Sequence, residues 1–153
     1  MRTARMSRKN LLTMGPYDFI GPHIHFIITL RIHRLMTDFQ EKLKKLTEEM
    51  VHDIYRVSTS FPKSELYGAI SQIRRAALSV ALNYTEGFAR KRRAVNRNFV
   101  EIAYGSLQET KFLVRFAEGE KWLSGIETEP LNKKLDEIGR MLWGISARLK
   151  NDA

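Results

Sequence analysis

Leu131-Asn132-Lys133-Lys134-Leu135-Asp136-Glu137-Ile138-Gly139-Arg140-Met141-Leu142-Trp143-Gly144-Ile145-Ser146-Ala147-Arg148-Leu149 sets apolar residues alternately four and three positions apart, at 131, 135, 138, 142, 145 and 149. That spacing returns an apolar side chain to the same side of a 3.6-residue helix at each turn and builds one continuous stripe. A half-buried strand would need strict alternation instead. The segment therefore predicts a helix that buries one face, and it requires partners of the same kind.

Three such partners precede it. Thr37 followed by Gln40 has the form of a capping box, and Phe39, Leu43, Leu46, Met50, Ile54 and Val57 continue in the same rhythm. Ser58-Thr59-Ser60-Phe61-Pro62 stops this first helix, because proline blocks continuation and hydroxyl side chains compete for backbone bonds. Leu66, Ile70, Ile73, Ala77, Val80 and Tyr84 mark a second helix over residues 64–86, with Gly87 as its stop. After the link Arg90 to Arg93, a third helix carries Val95, Phe99, Ile102, Ala103, Leu113 and Ala117 on its core side and frays at Gly119. Gly125 and Pro130 bracket the connection to the fourth. Short links and a three-four rhythm predict an all-α fold, an antiparallel up-down-up-down four-helix bundle over residues 37–150. The competing arrangement, a pair of long coiled-coil hairpins, is disfavoured by Pro62, Gly87 and Pro130 at turn spacing.

Residues 1–35 break the pattern. They combine Arg2, Arg5, Arg8 and Lys9 with Pro16, Pro22 and the apolar run Ile24 to Ile32, in which no helical stripe is read. His25 and Arg31 interrupt a run already too short for a membrane span, and a signal peptide would need an unbroken apolar core, so neither membrane nor export is expected. His23-x-His25 lacks a third metal ligand. The expectation is a poorly ordered basic leader, either an arm or read-through upstream of a natural start at Met36.

A chain of 153 residues with 43% apolar content suits one domain, and with no cysteine it has neither disulfides nor thiolate metal ligands. A bacterial-type cytoplasmic setting fits. The net charge is +9, but residues 1–35 hold six Lys/Arg against one acid, while the remainder holds 20 against 16. The bundle is thus only modestly basic, and location decides what its charge means.

In the expected topology, one end gathers Lys42, Lys44, Lys45, Arg90, Lys91, Arg92, Arg93, Arg97, Arg148 and Lys150. A solvated link, an acidic protein partner and a nucleic acid all remain compatible with such a run. Arg92, Arg93 and Arg97 nevertheless crowd the start of the third helix, where the macrodipole is positive and cations are unfavourable. Phosphate oxygens would suit both the guanidinium forks and the free amides there. Arg90, Lys91, Arg92, Arg93, Arg97, Lys44, Lys45 and Arg148 are therefore the candidate nucleic-acid contacts, to the backbone of structured RNA rather than by base stacking, because no aromatic interleaves the run.

Leu78 and Leu82 lie off the stripe of the second helix, and Val100, Leu107 and Val114 form a second row on the third. Two rows beyond the core predict an oligomer interface at Leu78, Leu82, Val100 and Leu107. Trp122-Leu123 is expected to cap the open end of the bundle. Ser106 and Thr110 fall on the core face of the third helix and are expected to bond back to the preceding turn.

Enzymatic chemistry is not expected. A di-metal bundle needs two Glu-x-x-His pairs, and only Glu49-x-x-His52 occurs. No phosphate loop, nucleophile elbow or cofactor motif is present in the sequence, so no catalytic residue, metal or cofactor is assigned.

Ser60-Phe61-Pro62-Lys63-Ser64-Glu65-Leu66-Tyr67-Gly68, Ser71-Gln72-Ile73-Arg74-Arg75-Ala76-Ala77, Ser79-Val80-Ala81-Leu82-Asn83, Glu86-Gly87-Phe88, Glu101-Ile102-Ala103, Gly105-Ser106-Leu107 and Glu137-Ile138-Gly139-Arg140-Met141-Leu142 resemble the four-helix-bundle proteins encoded within intervening sequences of bacterial 23S ribosomal RNA genes. The resemblance covers about residues 40–149 and departs from the usual pattern at Tyr84-Thr85. The fold is also similar to the accessory variability determinant of diversity-generating retroelements. That likeness implies a homo-oligomer, a ring of five, that engages RNA and a reverse transcriptase. The expected function is a non-enzymatic, homo-oligomeric RNA-binding protein. The alternative is an oligomeric scaffold that binds another protein, such as a reverse transcriptase.

Overall fold

A computed structural model describes residues 22–151. The chain divides into two compact units, Met1–Phe39 and Gln40–Ala153. Four helices make up the described residues: α1 (Pro22–Val57), α2 (Ala69–Phe88), α3 (Arg93–Gly119) and α4 (Gly125–Asn151). Two short 3₁₀ turns, Ser58–Ser60 and Lys63–Glu65, lie between α1 and α2, and there is no strand among the described residues.

Within the second unit, neighbours meet in opposite senses. Tyr84 bonds at Gln40 and Arg74 at Ser58, joining α2 to α1. Ser79 meets Ser106, and the Cβ position of Gly87 meets Phe99, joining α2 to α3. Tyr104 meets Trp143 and Lys111 meets Asp136, joining α3 to α4. Lys42 meets Glu137 and Lys134 meets Asp53, joining α4 to α1. In each set one residue number rises as the other falls, the sense of an antiparallel pair.

The core is apolar and closed. Leu43, Met50 and Ile54 of α1, Ile73 and Val80 of α2, and Leu135, Ile138 and Leu142 of α4 are fully buried, as their spacing predicts. Each contributes about 1.5–3 kcal/mol through removal from water. Buried Thr47, Ser58, Thr110 and Thr128 donate to carbonyls three or four residues back. No buried side-chain polar atom among the described residues lacks a partner.

Several expected boundaries and faces change. Helix α1 is already running at Thr37 and begins at Pro22, a first-turn position where the missing proline N–H costs nothing. Of the expected leader, residues 22–35 therefore belong to α1, and residues 1–21 lie outside the described residues. Helix α2 starts at Ala69 rather than residue 64, because Glu65 turns back and its carboxylate accepts the Ala69 N–H at 3.1 Å. Leu66 is consequently exposed. Gly87 lies in the last turn of α2, close to the expected end, and is buried, where an added Cβ would lie 2.9 Å from Phe99 Cβ and 3.3 Å from the Asn96 carbonyl. Its role is close packing of α2 on α3.

Helix α3 is turned relative to its expected face. Val100, Ala103, Leu107, Thr110, Val114 and Ala117 are buried in an unbroken three-four rhythm, while Val95 and Ile102 are exposed. The row assigned to a partner is the core row. Both rows are apolar at matching spacing, so periodicity alone does not choose between them. Thr110 is nonetheless buried and donates to the Ser106 carbonyl at 2.9 Å, as expected.

Helix α4 starts at Gly125 and runs through Pro130. Ser124 and Glu127 form its capping box, with the Glu127 carboxylate accepting the Ser124 N–H at 2.9 Å and its hydroxyl at 2.7 Å. Those bonds hold the Glu127 carboxyl below the usual carboxylate range. Just before it, α3 closes in a Schellman turn. Trp122 N–H reaches the Ala117 carbonyl at 2.9 Å, Lys121 N–H reaches that of Glu118 at 3.0 Å, and Lys121 takes φ 62°. Trp122 then packs on Phe61 and Phe116, with ring centroids 5.1 and 5.4 Å away. The capping role expected of Trp122-Leu123 is the one the structure shows.

Candidate nucleic-acid interface

Close packing at Gly87 brings the end of α2 onto the start of α3, so the link between them is short and its cations share a small volume. Arg90 pairs with Glu86 and lays its guanidinium 5.3 Å from the centroid of the Phe99 ring. Arg97 pairs with Glu101 at 2.7 Å. Lys91 and Arg92 are exposed and make no ion pair among the described residues; Arg93 is exposed and has a polar partner. Around this link, Glu86 thus holds Arg90 and Glu101 holds Arg97.

The start of α3 is bare of the usual stabilisers. Arg92 stands at the cap position with extended backbone, φ −82° and ψ 120°, and makes no side-chain capping hydrogen bond. The first turn contains no acid. A helix start with no side-chain cap and no acid in its first turn is locally unfavourable beside cations and is relieved by an anion.

The other expected contacts do not join this cluster. Gln40 is level with Tyr84, so Lys44 lies about 6 Å below that level and Arg90 about 9 Å above it, at 1.5 Å per residue. Lys44 is exposed on α1, and Lys45 stands 4.0 Å from Glu49. Arg148 is exposed on the flank of α4 that carries Glu137, which faces α1 through Lys42 at 2.6 Å, and it has a polar partner of its own. Arg90, Lys91, Arg92, Arg93 and Arg97 thus stand together at the α2–α3 link, and Lys44, Lys45 and Arg148 stand on other helices.

The expected oligomer surface splits in two. Leu78 and Leu82 are 37% and 64% exposed and line a shallow groove of about 800 Å³ with Tyr55, Leu66, Tyr67 and Arg75. Val100 and Leu107 are 1% and 0% exposed and are core residues, so they are withdrawn from the interface. Arg74 is fixed at the groove wall by its bond to Ser58 Oγ at 2.8 Å and its position 4.9 Å from the Tyr55 ring centroid.

Beside that groove runs a polar seam that only the structure brings together. Asn83 Nδ2 donates to the Ser79 carbonyl at 2.8 Å and to Ser79 Oγ at 3.0 Å. Ser106 Oγ lies 3.0 Å from the Ile102 carbonyl and 2.8 Å from Ser79 Oγ, and either hydroxyl can donate in the contact between the two. Glu49 is engaged by Lys134 at 3.3 Å, and His52 is exposed. Among the described residues, no three His, Cys, Asp or Glu converge on a metal-sized site, and no helix is long and apolar enough to cross a membrane.

Two comparisons bear on this arrangement. Residues 29–144 match the family model described as 23S rRNA-intervening sequence protein. Among solved structures, the chain is similar to a protein of unknown function from the S23 ribosomal protein family of Bacteroides thetaiotaomicron, with a TM-score of 0.63 and 21% identity over 68% of this chain and 97% of that one. At that identity the likeness speaks for the fold. No curated protein matches the chain.

Proposed function

The chain belongs to the 23S rRNA-intervening sequence protein family, and from that premise we propose that it is a non-catalytic, homo-oligomeric protein that binds structured RNA through the Arg90 to Arg97 end. The observation that carries this reading is the start of α3, where cations crowd an uncapped, acid-free helix terminus at a cost to local stability. Arginine forks and free amides are complementary to phosphate, and contacts of that kind are insensitive to base sequence. The family's tie to ribosomal RNA supports the choice of RNA among polyanions, and a cytoplasmic location goes with it. Self-association is part of the reading through the groove at Leu78 and Leu82; the ring of five rests on sequence resemblance alone.

The test is affinity for a structured RNA across ionic strength. Binding should fall steeply between low and physiological salt, and the double change Lys91→Glu with Arg92→Glu should weaken it further while leaving helix content intact. Affinity that ignores salt would overturn the reading. The scaffold alternative draws on a different observation, Tyr67 at 92% exposure beside Leu66 and Leu82. A defined protein partner lost on Leu82→Glu, with no RNA binding, would establish it instead.

A further inference from the structure

We propose that the open groove between α3 and α4 is a second nucleic-acid site, one that holds an unpaired base of a single strand against Trp143. This inference rests on the basic-end reading, because the groove leads away from that end. Arg97, Tyr104 and Lys111 are seven residues apart and share one flank of α3; Trp143 and Lys150 are likewise seven apart on α4, with Arg140 one turn before Trp143. Arg97 to Lys111 spans about 20 Å of helix.

At the middle of this groove lies a hollow of about 250 Å³ lined by Tyr104, Lys111, Asp136, Gly139, Arg140 and Trp143. Trp143 is 65% exposed, and its ring lies 5.8 Å from that of Tyr104 at 50°. The stripe of α4 buries Leu142 on one side of Trp143 and half-buries Ile145 beyond it, so core packing does not account for a tryptophan here.

Gly105 and Gly144 follow Tyr104 and Trp143 directly, and neither has any atom within 4 Å of an added Cβ. Helix-interior glycines cost about 0.5–1 kcal/mol each relative to alanine, and no close packing requires these two. The glycine that lines the hollow is Gly139, where an added Cβ would lie 3.3 Å from Leu107 and 3.6 Å from Lys111 Nζ.

The charges fit the same ligand. Lys111 is held by Asp136 at 2.6 Å and Arg97 by Glu101 at 2.7 Å, whereas Arg140 and Lys150 make no ion pair among the described residues. Arg140, which also sits in the field of Asp136 and Glu137, and Lys150 flank an exposed indole and provide phosphate contacts beside a stacking platform, the combination that single strands use and duplexes, with their bases covered, do not.

The full chain should be titrated with a short oligouridylate and with an abasic strand of equal length, in native form and as Trp143→Ala and Trp143→Phe. Trp143→Ala should weaken oligouridylate binding on the order of tenfold, Trp143→Phe should restore most of it, and abasic-strand binding should be the same in all three. Oligouridylate should quench tryptophan emission in the native chain and not in Trp143→Phe, where only Trp122 remains. Circular dichroism reports whether each variant keeps its helix content. If structured RNA and the abasic strand bind but Trp143→Ala leaves oligouridylate affinity unchanged, this site falls and the basic-end reading stands. If no nucleic acid binds the native chain, both fall.

Discussion

The two ends of the second unit are built on opposite principles. At the α3–α4 turn, a Schellman closure, a capping box and three aromatic rings satisfy the helix termini and cover the core. At the α2–α3 link, the start of α3 has no side-chain cap, no acid in its first turn and a cluster of arginines. One chain thus shows both that its helices can be terminated well and that one terminus is not. The difference separates what holds the fold from what is left available to a partner.

The largest test of this contrast is Trp122→Ala. Removing the ring that Phe61 and Phe116 pack on should lower stability by about 3 kcal/mol, read as the midpoint shift in urea, with polyanion binding per folded molecule unchanged. A smaller and opposite effect is expected from Arg92→Ser, which places a hydroxyl at the bare cap. Stability should rise by about 1 kcal/mol while RNA affinity falls, and a variant that gains in both would break the comparison.

The smallest effect is a pH dependence at the closed end. Because the Ser124 amide and hydroxyl hold the Glu127 carboxyl low, its contribution is present above the ordinary glutamate pKa and is lost as pH falls through the lower folded value. The stability gap between the native chain and Glu127→Gln should therefore close on acidification from about pH 5 to 3. A constant gap would mean that the capping box does not depend on charge.

The same contrast runs through what was legible in the sequence. The stripes of α1 beyond Gln40 and of α4 could be read because each offers one apolar row, and spacing then leaves no choice of face. Helix α3 offers two rows, so periodicity established the helix and left its rotation open. Pro130 reads as a break because proline carries a conformational signal in sequence, whereas the close approach of Gly87 to Phe99 is visible only once α2 and α3 are paired. Ser124-x-x-Glu127 was a readable start for α4, masked by the breakers around it. Pro22 is likewise a good first helical residue, but the β-branched run after it reads equally as strand. The five cations from Arg90 to Arg97 were legible as neighbours in the chain. Lys44, Lys45 and Arg148 depended on how far each helix extends, and Tyr104 with Trp143 depended on which turn of α4 lies beside which turn of α3.

The Asn83–Ser79–Ser106 seam has a mechanical meaning as well. Its hydroxyls and amide bond one another between α2 and α3, and Gly87 packs against Phe99 two turns further along. A slide of α2 past α3 by one turn, about 5.4 Å, would strand those hydroxyls and drive the backbone into the Phe99 side chain. The pair is thus a keyed shaft rather than two sliding rods. Load applied at residues 89–92 is therefore shared by both helices over the stretch from Gly87 to Ser79 that these contacts tie together.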